Sequence, residues 1–207
     1  MKLTEFQNDT LREIMNIGVS KSATQLSVLL NDEIRMDVPE IRFLTIAEAR
    51  EVLFDNDEKA VIYQELAGML TGRTYLVFQE KDTGFLAQAI LGNVFSHAGE
   101  RPQFYEHEAM MEIGNIVISA FISTLANVLK DRIALSTPVY TQDSLPRILS
   151  LGQANDRDIV MIIKTTLYAS RRNIPGTLII VVTSELAGSL INKLSRIFDF
   201  TEKGCDS

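Results

Sequence analysis

Few of the residues that build metal sites and disulfide frameworks are present in this chain. Its 207 residues include one cysteine, Cys205, two histidines, His97 and His107, and no tryptophan. A single cysteine cannot form an intrachain disulfide or a multi-cysteine metal site, and two histidines argue against a histidine-rich metal site. The sequence therefore predicts neither a disulfide framework nor a metal site based on cysteine or histidine.

Positive charge is also scarce. Twenty basic residues stand against 27 acidic ones, which gives a formal net charge of −7 and an isoelectric point near 4.9. Basic residues are adjacent only at Arg171-Arg172. Because a nucleic-acid-binding protein normally needs a net basic surface, we expect no nucleic acid among the partners of this protein.

Long uninterrupted hydrophobic runs are missing as well. Stretches such as 116–122 are broken by a polar residue well before the 18 residues of a membrane-spanning helix. The first nine residues become polar before the apolar segment of an export signal could form. Hydrophobic residues still make up 46% of the chain, which is enough to bury a core. We expect a folded cytoplasmic protein without membrane insertion.

The chain resembles itself at an offset of 99 residues. Between positions 13 and 39, ten residues are identical to those 99 positions later, and no gap is needed. Chance is a poor explanation for so many coincidences at one offset, so we predict a duplicated unit with pseudo-two-fold symmetry. The identical pairs are Glu13/Glu112, Ile14/Ile113, Asn16/Asn115, Ile17/Ile116, Ser20/Ser119, Leu26/Leu125, Leu30/Leu129, Asp32/Asp131, Ile34/Ile133 and Pro39/Pro138.

Both halves predict the same order of elements: a long helix, a strand, a short connector, a two-stranded hairpin and a closing helix. Three strands in each half predict an α+β fold, with one six-stranded, largely antiparallel sheet on which the long helices pack. The hairpins are expected over about 60–78, turning near 70–72, and over about 158–183, turning at 171–176, and the closing helices over 85–95 and 185–198.

One domain, 1–207, is expected to hold both halves. The two repeats would occupy about 1–99 and 100–200, joined in the loop-like stretch 99–102, with a short polar tail at 201–207.

Each long helix carries a polar stripe along one face. Asp9, Glu13, Asn16 and Ser20 follow the spacing i, i+4, i+7 and i+11, and Glu108, Glu112, Asn115 and Ser119 follow the same spacing 99 residues later. Such a stripe is usually a solvated face. The second helix, however, is otherwise apolar almost all round, so it must be largely covered and its stripe needs water or a partner.

Repetition of the stripe favours a functional surface. The Glu-x-x-Asn spacing recurs in both helices, and 22 residues separate each asparagine from a proline, Pro39 or Pro138. We interpret the two prolines as structural markers of the repeat, placed at a sheet edge or bulge where a missing N–H is tolerated.

Two other candidate sites carry less weight. Glu106, His107, Glu108 and Glu112 form an acidic group, but a di-iron site needs Glu-x-x-His on facing helices and this chain has Glu-x-x-Asn. Asparagine is a poor metal ligand, so we predict no metal site and expect His107 to be exposed near the start of its helix. Cys205 lies in the polar tail without a neighbouring base, so catalysis there is not expected.

The repeated pattern resembles the signature of the chemotaxis phosphatase family that includes CheC, CheX and FliY. In that signature an Asp or Ser is followed by Glu, Asn and Pro at the spacing found here. The pattern stands as Asp9, Glu13, Asn16 and Pro39, and again as Glu108, Glu112, Asn115 and Pro138. Glu108 departs from the usual Asp or Ser. The chain length and the two copies look like the two-site members of the family.

This resemblance implies hydrolysis of the aspartyl phosphate of the response regulator CheY. Asn16 and Asn115 would orient the attacking water, because a carboxamide both donates and accepts hydrogen bonds. Glu13 and Glu112 would pair with the active-site lysine of the receiver. Asp9 and Glu108 are possible partner contacts. No cofactor of its own is expected, because the receiver supplies the Mg²⁺.

A second function class stays open at this point. The stripes would then serve only to bind CheY, or CheD, the receptor glutamine deamidase with which members of this family pair, in a non-catalytic adaptor. We favour catalysis because both copies keep Glu and Asn, whereas charge alone would suffice for docking. The duplicated unit would take the place of a dimer, so we expect a monomer.

Overall fold

A computed structural model describes residues 3–53, 57–68, 70–91, 102–145, 147, 158–169, 172–184 and 187–192. The elements within these ranges, in chain order, are α1 Glu5–Leu30, β1 Arg35–Thr45, α2 Ile46–Val52, β2 Lys59–Gly68, β3 Gly72–Gln79, α3 Glu80–Leu91, α4 Pro102–Leu129, β4 Ile133–Leu135, β5 Val139–Asp143, β6 Asp158–Ala169 and β7 Arg172–Thr183. Residues 187–192 are also helical.

Local sequence signals fix the ends of the long helices. Thr4 and Gln7 form a capping box at the start of α1, in which each side chain accepts a hydrogen bond from the other residue's backbone N–H. The α1 helix ends where Asn31 adopts a φ of 47°, and α4 ends next to Lys130, whose φ is 52°. These two left-handed residues lie 99 positions apart. Both helices therefore end in the same way.

The strands form one antiparallel sheet in the order β1-β6-β7-β3-β2-β4, and β5 also pairs with β2. Seven strands are present within the described residues, against the six predicted. The difference arises because β4 and β5 lie on the same side of β2 as two parts of one strand position, interrupted by residues 136–138. The α+β class and the antiparallel sheet are confirmed.

Helices cover the two faces of the sheet unequally. The α1, α3 and α4 helices pack on one face over the larger core, which includes the fully buried Met15, Ile62 and Phe121. A smaller core on the other face involves α2 and Leu145. The segment Tyr105–Leu129 is long and apolar enough to cross a membrane by length and composition, but 61% of its most apolar window is buried inside the protein, as in a core helix.

Both marker prolines lie where a strand is irregular. Pro39 is in β1, the edge strand next to β6, where the register shifts between Asp37 and Glu40. Pro138 lies between β4 and β5. The expected placement at an edge or bulge is therefore confirmed for both.

The predicted turn of the second hairpin is wrong. The β7 strand already begins at Arg172, and Pro175 and Gly176 pair with Thr166 and Thr165 of β6. A proline is tolerated inside this strand because the pairing of β3 with β7 reaches only to Gly176, so Pro175 lies beyond the paired residues on that side. The first hairpin and the outer bounds of the second agree with the prediction.

The closing helices agree in part with those predicted from the sequence. The α3 helix begins at Glu80, five residues before the predicted start, because Glu80–Gly84 continue directly from β3 as helix. Residues 187–192 lie within the second predicted helix. Most of the predicted join at 99–102, the tail at 201–207, His97 and Cys205 lie outside the described residues.

Candidate functional site

The two polar stripes lie on the solvent side of α1 and α4. Glu13 and Glu112 are exposed, whereas Asn16 and Asn115 are half-buried one turn further along their helices. Glu and Asn therefore share one face in each helix, as the spacing predicted. The outer stripe residues, Asp9, Ser20 and Glu108, are exposed, and Ser119 is half-buried.

A close helix–helix contact sets the distance between the two stripes. Gly18 of α1 packs against α4, where a Cβ added to it would lie 3.1 Å from Thr124 Oγ1 and 3.3 Å from the backbone oxygen of Ala120. A groove of about 460 Å³ runs along this contact, and Ser119 is one of its lining residues. The other lining residues are Lys21, Thr24, Gln25, Ala120 and Ser123.

The α4 helix also approaches the sheet unusually closely, just before Asn115. A Cβ added to Gly114 would lie 2.3 Å from Ile62 Cγ2 and 2.7 Å from Ile62 Cβ. Any side chain at position 114 would therefore overlap β2. The residue 99 positions earlier, Met15, has a full side chain and is completely buried. Glycine at 114 lets α4 bring Asn115 down to the sheet.

Two donors approach the Asn115 carboxamide from different directions, at the long end of hydrogen-bond distance. Its Oδ1 accepts from Gln64 Nε2 of β2 at 3.5 Å and from Ser119 Oγ at 3.4 Å. Gln64 is only 1% exposed, and its Nε2 also donates to the backbone oxygen of Ser136 at 2.6 Å. The amide of the second stripe is thus tied to the sheet beneath it.

The first stripe is less constrained. Within the described part of the chain, the carboxamide of Asn16 and the carboxylate of Glu13 make no hydrogen bond or ion pair. Asp9 faces Arg12 at 3.8 Å, with its side chain 67% exposed, and such a solvated pair adds little stability. Asn16 and Glu13 are free to meet a partner.

An aromatic pair flanks the second stripe at the start of α4. The rings of His107 and Tyr140 lie 4.7 Å apart, and His107 is exposed, as expected. Burial, with a smaller contribution from the negative charge of Glu106, raises the pKa of Tyr140 to about 12. Tyr140 belongs to β5, so this contact joins the helix to the edge of the sheet.

Among the residues that the structure describes, no group of three or more His, Cys, Asp or Glu side chains is arranged to hold a metal ion. The two polar stripes remain the candidate site.

Sequence reasoning missed Gln64, Gly114 and Ser136. Gln64 is separated from Asn115 by 51 positions, so no local spacing links them. One signal was available, because Gln64 lies on the inward face of β2, where Ala60, Ile62 and Leu66 are apolar core residues. A polar residue at such a position needs a partner.

Both stripes lie in segments of the chain that resemble a known protein family. Residues 6–42 and 108–141 match the model of the CheC-like family, and each segment contains one stripe and the proline that follows it. The chain is 28% identical over 152 residues to the CheY-P phosphatase CheC of Bacillus subtilis (strain 168), covering 72% of this chain and 73% of that protein.

Solved structures show the same fold. The X-ray structure of Thermotoga maritima FliY matches with a TM-score of 0.75 and 20% identity, covering 95% of this chain and 99% of that chain. The chemotaxis protein CheX from Desulfovibrio desulfuricans matches with a TM-score of 0.51 and 14% identity, covering 81% and 99%. Both comparisons place the antiparallel sheet and its helices in a known α+β architecture.

Proposed function

The chain belongs to the CheC-like family, within the group that includes CheC, CheX and FliY, and from this membership we propose that it hydrolyses the aspartyl phosphate of the response regulator CheY. The observation that carries the proposal is the pair of Glu-x-x-Asn stripes, each on the solvent side of a long helix and each inside a segment that matches the family.

The reaction needs little chemistry from this protein. An aspartyl phosphate is a reactive acyl phosphate, and the receiver would supply the Mg²⁺ and a lysine. A water molecule attacks the phosphorus in line, the bond from phosphorus to the aspartyl oxygen breaks, and the carboxylate leaves with the electron pair. The water's protons pass to the released phosphate and to solvent. Asn16 and Asn115 would position that water.

The carboxylates fit a docking role. Glu13 and Glu112 are exposed and, within the described residues, neither makes an ion pair. Each lies one helical turn before its asparagine, so a receiver lysine bound to the glutamate would fix the distance from the amide to the phosphoryl group. Positioning of this kind is worth several kcal/mol, on the order of a thousandfold in rate.

The test is the decay of phosphorylated CheY with the wild-type protein, Asn16→Ala, Asn115→Ala and the double variant. We expect acceleration by the wild type and its loss in the double variant. Asn127→Ala is the matched control, because Asn127 is an exposed amide on α4 outside the stripe. Absence of wild-type acceleration, with binding to CheY still measurable, would sink the enzyme proposal.

An adaptor role is the second candidate, and one feature of α1 favours it. Phe6, Ile17 and Val28 are 59%, 51% and 82% exposed, and their spacing of 11 residues aligns them beside the polar stripe. An exposed apolar row next to a charged stripe is typical of a protein-binding surface. An adaptor without catalytic activity would bind its partner through this apolar row and the stripe beside it. CheD as a partner, the monomeric state and the cytoplasmic location stay predictions.

A further inference from the structure

Gln64 occupies a position where an apolar residue would be expected. It points inward from β2, it is 1% exposed, and its Oε1 is buried without a hydrogen-bond partner within the described residues. An unpaired buried oxygen costs stability. Ile163, at the offset of 99 residues, is fully buried and apolar, so the fold does not itself require a polar group at such a position.

The hydrogen bonds of Gln64 decide which way its amide and that of Asn115 face. The backbone oxygen of Ser136, 2.6 Å from Gln64 Nε2, accepts only, so this end of Gln64 must be the NH₂ group. That NH₂ group also faces Asn115. The opposite orientation of Asn115 would set two NH₂ groups against each other, so Oδ1 is the inward atom.

Ser119 reinforces this orientation. Its hydroxyl donates to the same Asn115 Oδ1 at 3.4 Å, so both groups that face this oxygen, Gln64 Nε2 and Ser119 Oγ, are donors. Asn115 Nδ2 is then left on the side of the carboxamide away from these donors. Asn16 has no comparable partner within the described part of the chain, and its carboxamide can rotate.

We propose that Gln64 is a positioning residue for Asn115, which it holds with Oδ1 inward so that Nδ2 faces the receiver. This inference rests on the proposed phosphatase function and makes its two sites chemically different. The Asn115 site presents a fixed N–H donor to the attacking water or to a phosphoryl oxygen. The Asn16 site presents a free amide that donates or accepts.

The orientation is tested first without any activity, by NMR of the side-chain amides in the ¹⁵N-labelled protein. We expect the Gln64 NH₂ protons to exchange slowly with solvent and to shift in Asn115→Ala. Asn115 should give one NH₂ pair with the chemical shifts of a single fixed orientation. The NH₂ pair of Asn16 should instead have chemical shifts averaged over the orientations of its carboxamide. Fast exchange of the Gln64 protons, or Gln64 signals that do not move in Asn115→Ala, would overturn the proposal even if the phosphatase activity is present.

The kinetic test uses Gln64→Met, which keeps the side-chain length and removes both polar atoms. In an Asn16→Ala background, where Asn115 is the remaining amide, we expect kcat to fall about three- to tenfold with KM for phosphorylated CheY unchanged. In an Asn115→Ala background the same substitution should change nothing. An equal loss in both backgrounds would show a general structural effect and overturn the assignment.

Thr74→Val is the matched control. Thr74 pairs directly with Gln64 across β2 and β3 and is fully buried, and its Oγ1, like Gln64 Oε1, has no partner among the residues that the structure describes. We expect Thr74→Val to leave kcat unchanged in both backgrounds. We also expect Thr74→Val and Gln64→Met to unfold at urea concentrations no lower than the wild type does. If the wild type has no phosphatase activity, the proposed function fails, and the NMR experiment still decides the role of Gln64.

Discussion

Replacing Gly114 by alanine should weaken both the fold and the second site. The new Cβ would lie 2.3 Å, 2.7 Å and 2.9 Å from Cγ2, Cβ and Cγ1 of Ile62. Rotation of the Ile62 side chain cannot relieve this overlap, because Ile62 Cβ is fixed to the β2 backbone. Carbon atoms pack at about 3.5–4.0 Å, so α4 must retreat from β2 by roughly 1 Å.

Two opposing free energies set the size of the effect. Overpacking a buried contact costs about 1–3 kcal/mol. Alanine in place of a helical glycine returns up to about 1 kcal/mol through helix propensity. We therefore expect the free energy of unfolding to fall by about 0.5–2 kcal/mol. The retreat of α4 also lengthens the 3.5 Å contact between Gln64 and Asn115, so the activity of the Asn115 site should fall as well.

Urea unfolding gives the stability, and CheY dephosphorylation in an Asn16→Ala background gives the activity of the second site. Gly84→Ala in α3 is the control, because a Cβ there meets nothing within 4 Å. That control should gain about 0.5–1 kcal/mol. If Gly114→Ala is stabilised as much as Gly84→Ala, with Asn115 still active, the close packing of α4 on β2 is refuted.

Two further predictions concern the helix cap and the pH dependence. Thr4→Ala removes the hydrogen bond that Thr4 Oγ1 accepts from the backbone N–H of Gln7, and it should lower the free energy of unfolding by about 0.5–2 kcal/mol in a urea titration. Thr4→Ser keeps the acceptor and should retain most of that stability. Folding raises the pKa of Tyr140 from 10 to about 12, so between these values the folded state holds a proton that the unfolded chain has lost. The contribution of Tyr140 to the free energy of unfolding should be fully present below pH 10 and should decline as pH rises toward 12. When unfolding is compared at about pH 9 and about pH 11, this decline should be smaller in Tyr140→Phe.

Periodicity in the sequence predicted the elements that local rules control. The i, i+4, i+7 spacing put Glu13 and Asn16 on one helix face, and the alternating strands gave both hairpins. The turn of the second hairpin was missed because Pro175 reads as a turn residue by itself. Whether a strand accepts it depends on where β3 stops pairing, which is information about another strand.

The candidate site could be predicted only as far as its two helices. The asparagines and glutamates recur along the chain, so self-comparison finds them. Gln64 reaches Asn115 from β2, 51 positions before it, and Gln64 in turn bonds to Ser136, which lies between β4 and β5. No local pattern encodes that meeting. The division into two repeats stays a prediction, supported by the matching ends of α1 and α4.

Identical motifs do not make identical sites, because the surroundings of each asparagine differ in ways that the motif does not contain. At the offset of 99 residues, Gly114 stands opposite Met15, and Gln64 stands opposite Ile163. Glycine brings α4 close to β2, and the glutamine then supplies a donor at the point of contact. Gly114 brings Asn115 close to β2, and Gln64 orients the Asn115 carboxamide. Neither residue has this effect without the other. Under the predicted duplication, the two copies keep the same motif, and under our proposal Asn115 is a fixed amide and Asn16 a free one.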